Sequence, residues 1–222
     1  MDTLDRSAVL RIASRILHPH GQIAFLSNLE NEVRLLDVGC GNRSCITKAV
    51  KPSCIYTCVD IMEYDPKFHC TDHYIHALPL EFSDRLLALD NQYDAVISSH
   101  NLEHCFDRYK TLEAMLKLVR QGGMLYLSFP SEKTVNFPKR RGTLNYYDDS
   151  THQGVPPEYY KIVQKIERSG YKILFSTPSD KPKFSWVVGL LMEPYSRIRK
   201  RVTIGTWQYY GFEAIIIAKK LT

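Results

Sequence analysis

Residues 35–44 read LLDVGCGNRS, an apolar run that meets Asp37 and then two glycines with a cysteine between them. Counted from Val33, the run is too short for a helix. A short apolar segment stopped by glycine suits a strand buried on both faces. A helix is predicted over residues 44–50, closed by Pro52, and a second strand over residues 55–61, IYTCVDI. Together they make a strand–helix–strand unit, with Gly39 and Gly41 at the bend between the first strand and its helix.

The alternation continues in both directions. Upstream, Val9, Ile12, Ala13, Ile16 and Leu17 recur at helical spacing, which predicts an amphipathic helix over residues 4–18. Downstream, YDAVIS (93–98) predicts a strand, residues 109–119 a helix, Gly122-Gly123 a turn and MLYLSFP (124–130) the next strand. Residues 156–169 read as a helix with proline at its start and Gly170 at its end. YKILFS and GFEAIIIA supply two late strands. The expected fold class is α/β, a mostly parallel sheet with helices on both faces. Residues 131–155 and 178–208 break the alternation. They are read as insertions in a single domain spanning residues 1–222, and insertions of that length tend to carry function.

In an open sheet of this kind, ligands bind beyond the carboxyl ends of the strands. Gly39 and Gly41 let a ligand approach the main chain closely, and a helix opening near Ser44 points free N–H groups at it. Asp60, about twenty residues beyond the glycines, stands where a carboxylate accepts bonds from both hydroxyls of a ribose. The constellation calls for a nucleoside-containing cofactor. The third glycine of a dinucleotide fingerprint is missing, its place taken by Ser44. Asp37, two residues before the first glycine, would repel a pyrophosphate and help to hold a cation.

On these residues, with YDAVISSHNLEHCFD (93–107) and LVRQGGMLYLSFP (118–130), the chain resembles the class I S-adenosylmethionine-dependent methyltransferases. Within them it is similar to small bacterial methyltransferases of glycan or metabolite biosynthesis. The resemblance implies a Rossmann-like methyltransferase sheet with a C-terminal antiparallel hairpin, and S-adenosyl-L-methionine as cofactor. Asp37, Gly39, Cys40, Gly41 and Asn42 would surround the methionine moiety, Asp60 the ribose, and Ile61 the adenine. His76-Ala77 stands before the Leu78-Pro79 turn where relatives often carry an acidic residue, so backbone groups are expected to read the adenine there. Ser98 completes the expected cofactor-binding set.

Methyl transfer needs an aligned nucleophile and, for a hydroxyl acceptor, a base. SSHNLEHC holds His100 and His104 one helical turn apart, with Glu103 between them. That spacing also suits metal ligands, but no further ligand stands near it in sequence, and no metal is expected. His100 is the better placed to meet cofactor or substrate, and His104 suits support of the pocket. GTLNYYDDSTHQG (142–154) offers His152 as a general base, with Asp148 or Asp149 orienting its ring. An ordinary turn cap is the alternative. The catalytic candidates are thus His152, Asp149, His100 and His104. Tyr146, Tyr147, Arg140 and Arg141 are the expected substrate-binding residues, the arginines for a phosphate or carboxylate, with a solvated loop as the alternative.

A chain of 222 residues, 44% apolar and 24% charged, has the composition of an ordinary soluble globular protein. Its net charge of +5 is spread along the chain and permits an acidic substrate without requiring one. No basic stripe interleaved with aromatics points to nucleic acid. The six cysteines form no CxxC pair, so free thiols in a reducing cytoplasm are expected. The N-terminus lacks the pattern of a signal peptide, and no run reaches the length of a membrane span. The apolar run at residues 184–192 precedes Arg197, Arg199, Lys200 and Arg201, and reads as a lid or dimer contact ahead of a peripheral membrane contact. The expected function is O-methylation of a sugar hydroxyl in a surface glycan, or of a small polar metabolite, by a monomer or homodimer. Its rivals are a nicotinamide-dependent oxidoreductase on the same fold and a non-catalytic methyltransferase-like partner module.

Overall fold

The computed structural model describes residues 3–63, 70–90 and 92–222. Seven strands form one sheet: Arg34–Val38 (β1), Ile55–Asp60 (β2), His73–His76 (β3), Tyr93–Ser99 (β4), Val119–Pro130 (β5), Tyr171–Thr177 (β6) and Glu213–Lys220 (β7). Their order is β3-β2-β1-β4-β5-β7-β6. The first five run parallel, and β7 lies antiparallel between β5 and β6. This is the expected Rossmann-like sheet with its antiparallel edge. From β1 the chain winds first toward β3 and then back toward β5. The carboxyl ends of β1 and β4 therefore part, which opens a crevice there.

Alternation along each strand divides the core into two layers. Leu35, Ala95, Ile97, Tyr126 and Ile215 point to one face and pack with residues of Thr3–Leu17 (α1), Gln22–Asn28 (α2) and Ser44–Val50 (α3). Leu36, Val38, Val96, Leu125, Leu127 and Ile216 point to the other, under Phe82–Leu87 (α4), Arg108–Leu118 (α5) and Tyr159–Arg168 (α6). Burial on both faces is why the central strands read as unbroken apolar runs.

Three expectations are corrected. Gly122-Gly123 is not a turn before a strand but lies inside β5, where the register against β4 shifts between Tyr93 and Ala95. A Cβ on Gly123 would press on the Val119 side chain and the Asp94 carbonyl, so the glycine serves close strand packing. The N-terminal helix forms, but Leu10 and Ser14 face inward while Val9, Ile12 and Ile16 are exposed. Nor are all the cysteines free. Cys40 is bridged to Cys58 and Cys45 to Cys70, with Cα atoms 6.0 and 4.6 Å apart, and only Cys54 and Cys105 remain as thiols. The parallel pairing of β1 with β2 brings the glycine bend over Cys58, a proximity that cysteine spacing does not reveal.

The second insertion folds as Lys183–Arg199 (α7) and Thr206–Tyr210 (α8). Backbones meet at Gly189 and Gly205, where a Cβ on either would overlap the other's main chain. Phe184, Val187, Leu190, Leu191 and Ile198 of α7 face outward. Among the described residues, no helix is long and apolar enough to cross a membrane.

Candidate functional site

The crevice at the end of β1 is built from the glycine bend. Gly39 adopts φ +78° and donates to the Val59 carbonyl at 2.8 Å, and a Cβ there would collide with the Asn101 side chain. Gly41, at φ +56°, has open space where its Cβ would stand. Asp60 fixes the bend: one carboxylate oxygen accepts from Gly41 N at 2.8 Å and the other from Met62 N at 3.0 Å. Asp37 is buried and accepts from the Tyr56 hydroxyl at 2.8 Å. Burial pushes its pKa up to about 7 against the pull of the Tyr56 bond, and the charge of Asp60 adds to the rise.

A cavity of about 210 Å³ follows this wall, lined by Asp37, Gly39, Cys40, Gly41 and Asn42, with Gln22, Ser99, His100 and Trp207 opposite. Ile61 lies apart from it, in a neighbouring cavity with Pro79, Leu80, Asn101, His104 and Phe106. His76 bonds the Ile61 carbonyl at 3.1 Å, and buried Ala77 donates to the Asp60 carbonyl at 2.9 Å. Ser98 departs from expectation. Strand alternation turns it inward to donate to the Val38 carbonyl at 2.9 Å, and Ser99 takes the cavity-facing place.

A second cavity, of about 250 Å³, adjoins the first and shares Gln22, Ser99, His100 and Trp207 with it. Its other lining residues include His18, Asp180, Gln208 and Glu213. Burial holds His18 below its ordinary pKa, against the raising charge of Glu213. Burial, assisted by Glu213, pushes Asp180 up to about 6. His100 sits at the junction in a left-handed backbone conformation, φ +52°. Its ring bonds Glu103 through Nδ1 at 3.2 Å and Glu213 through Nε2 at 2.7 Å. Burial alone would lower its pKa, but the bonds and charges of both carboxylates outweigh that and raise it to about 10. His100 is therefore a doubly held imidazolium, poorly suited to take a proton.

The other catalytic candidates gather a short way off. The 142–154 loop docks on the turn after β4 through Gln153 N, which donates to the Glu103 carbonyl at 2.7 Å. The rings of His104 and His152 lie 4.9 Å apart. His152 Nδ1 donates to the Tyr146 carbonyl at 2.6 Å, and its Nε2 stands 4.0 Å from Asp149. Asp149 accepts from Thr151 N and Oγ1 at 2.9 and 2.6 Å. Asp148 orients no histidine. It caps its own turn, accepting from the backbone of Arg140, Leu144 and Asn145.

The expected substrate-binding set is dispersed. Arg140 is buried, with Glu193 at 2.6 and 2.7 Å, Ser196 at 2.7 Å and Tyr210 at 3.2 Å. Its donors are spent inside the fold, where it braces the first insertion against α7. Arg141 is exposed and forms a backbone bridge to Arg201. Tyr146 is fully buried, its hydroxyl on the Gln153 and Val155 carbonyls, while Tyr147 is exposed. Neither tyrosine lines the two adjoining cavities. Sequence reasoning missed His18, Gln22, Asp180, Trp207 and Glu213. No local pattern marks them, because they come from the two ends of the chain.

Residues 7–178 match the family model described as a methyltransferase domain. No curated protein matches the chain. Solved structures resemble it in fold. An S-adenosylmethionine-dependent methyltransferase from Archaeoglobus fulgidus is 20% identical, with a TM-score of 0.55 and 96% of this chain and 94% of that one covered. One from Mesorhizobium loti is 16% identical, with a TM-score of 0.56 and coverages of 89% and 95%. The N-methyltransferase NodS from Bradyrhizobium japonicum WM9 is 12% identical, with a TM-score of 0.54 and coverages of 92% and 95%.

Proposed function

The chain belongs to the methyltransferase domain family, and from that premise we propose that it methylates a hydroxyl of a sugar, in a surface glycan or a small polar metabolite. The cofactor is S-adenosyl-L-methionine, which when bound supplies a methyl group on a cationic sulfonium. The crevice suits it: Gly41 leaves open space, Asp37 lines the wall for the cationic end, and Asp60, whose carboxylate holds the bend through Gly41 N, is the residue we assign to the ribose. We read the whole chain as one cytoplasmic domain.

The observation that carries the acceptor class is the 250 Å³ cavity beside that crevice. Its lining includes the Trp207 and Tyr126 rings, two carboxylates and two amides, those of Asp180, Glu213, Gln22 and Gln208. An aromatic plate stacks on an apolar sugar face, and the carboxylates and amides bond hydroxyls. His18, held neutral by burial, is the base that takes the acceptor proton. Trp207 is fixed for this by its Nε1 bond to the Thr143 carbonyl at 2.8 Å and its stack on Phe212.

The same carboxylates favour one second reading, an amine acceptor. Methyl-labelled S-adenosylmethionine, incubated with neutral hexoses, hexosamines and polar amines, tests both. Label on oxygen of a neutral sugar supports the proposal, and label only on nitrogen replaces it with the second reading. No transfer to any acceptor, with S-adenosylhomocysteine still bound tightly, favours the non-catalytic module.

A further inference from the structure

Glu103, His104 and His152 come together from two segments, the turn after β4 and the 142–154 loop, with one candidate ligand atom from each lying within 4.8 Å of the others. Ligand atoms on one first-row metal ion lie up to about 4.2 Å apart, twice a bond of about 2.1 Å, so a small inward turn of the side chains closes the gap. Glu103 is fully buried, and its Oε2 has no hydrogen-bond partner, although Oε1 is held by His100. A buried carboxylate oxygen left bare is costly, and it calls for a cation.

The hydrogen bonds around the cluster set both rings for coordination. The Tyr146 carbonyl can only accept, so His152 Nδ1 carries a hydrogen and Nε2 keeps its lone pair. The Thr151 hydroxyl donates to Asp149, so toward His104 Nδ1 it acts as acceptor, and His104 Nε2 is likewise left with a lone pair. Each imidazole is thus oriented by a second partner, the arrangement that supports metal-ligating histidines. Charges facing the cluster are those of Asp149 at 4.0 Å from His152 and His100 on the far side of Glu103.

We propose that Glu103, His104 and His152 form a binding site for a divalent first-row transition-metal ion. Two imidazole nitrogens and one carboxylate oxygen match manganese, iron or zinc better than magnesium or calcium, which prefer all-oxygen sites. The ion clips the 142–154 loop to the turn after β4, next to the His100 link to the acceptor cavity. This inference does not rest on the choice of acceptor, nor on methyl transfer itself.

Calorimetry and thermal melting of the metal-stripped protein with Mn²⁺, Zn²⁺ and Mg²⁺ test it, with S-adenosylhomocysteine titrated in parallel as a check of fold. One equivalent of Mn²⁺ or Zn²⁺ should bind and raise Tm. His152→Asn and Glu103→Gln should each weaken metal binding at least about tenfold while leaving S-adenosylhomocysteine affinity nearly unchanged. For Mn²⁺, electron paramagnetic resonance should show nitrogen couplings that disappear in a His104→Asn, His152→Asn double variant. Absence of metal binding by protein that binds S-adenosylhomocysteine overturns the site. So does undiminished binding in the double variant, or tighter binding of Mg²⁺ than of Mn²⁺ and Zn²⁺.

Discussion

The glycine-bend crevice and the cavity proposed for the acceptor share Gln22, Ser99, His100 and Trp207, yet they are assembled in opposite ways. The crevice wall is local: Asp37 to Asn42 is one bend, and Asp60 ends the next strand, joined to it by a 2.8 Å bond to Gly41. The proposed acceptor cavity takes His18 from the end of α1, Tyr126 from β5, Asp180 from the approach to α7 and Trp207 and Glu213 from the last two elements. A fold can hold the first site steady and change the second by altering loops and termini. Cofactor binding and acceptor choice should therefore separate under mutation.

The largest effect tests that separation directly. His18→Ala should lower turnover by about 10²–10⁴-fold, as for loss of a general base, while S-adenosylhomocysteine affinity stays within a few-fold. Equal losses in both would mean that the two sites are one. Next comes the brace that lies in neither site. Arg140→Ala strips Glu193 of its ion pair, leaving it only the Tyr210 hydroxyl, and should cost about 3 kcal/mol in chemical denaturation. Replacing both residues, Arg140→Met with Glu193→Leu, should recover much of that loss. An Arg140→Ala protein with unchanged stability and a raised KM would return Arg140 to the acceptor.

On the cofactor side, Asp60→Ala removes a carboxylate that holds the bend and that we assign to the ribose. Calorimetry should show S-adenosylhomocysteine affinity falling roughly 50-fold, the scale of lost charge-assisted hydrogen bonds. The smallest effect is a pH dependence. Asp37, raised to about 7 by burial, is neutral below that value and ionised above it. Affinity for the cofactor's ammonium end should rise by up to about tenfold between pH 6 and 8, and Asp37→Asn should flatten the rise. Stability moves the other way. The folded state holds this proton to higher pH than the unfolded chain does, so the unfolding free energy falls as pH climbs from about 4 to 7. The Asn variant should lose that slope in melts across the same range.

The wall of the crevice was legible because strand period, glycine and acidic spacing all act within a few residues of one another. Asp37, Gly39 and Gly41 line the crevice, and Asp60 at the end of β2 holds the bend through Gly41 N. Ser98 was misread by one position because a single step along a strand reverses a side chain's face. Arg140 was misread because charge in a loop sequence suggests exposure, whereas Glu193, its partner, lies 53 residues away in α7.

Apolar periodicity and turn chemistry are local properties, so the sequence by itself determined the alternating elements, the glycine bend and the carboxylate of Asp60 at the end of β2. What joins distant segments was decided only by tertiary packing. Sheet order seats Cys40 beside Cys58, the 142–154 loop carries His152 to Glu103 and His104, and β7 brings Glu213 to His100. No local free energy encodes such meetings. They follow from how two buried layers close over one sheet.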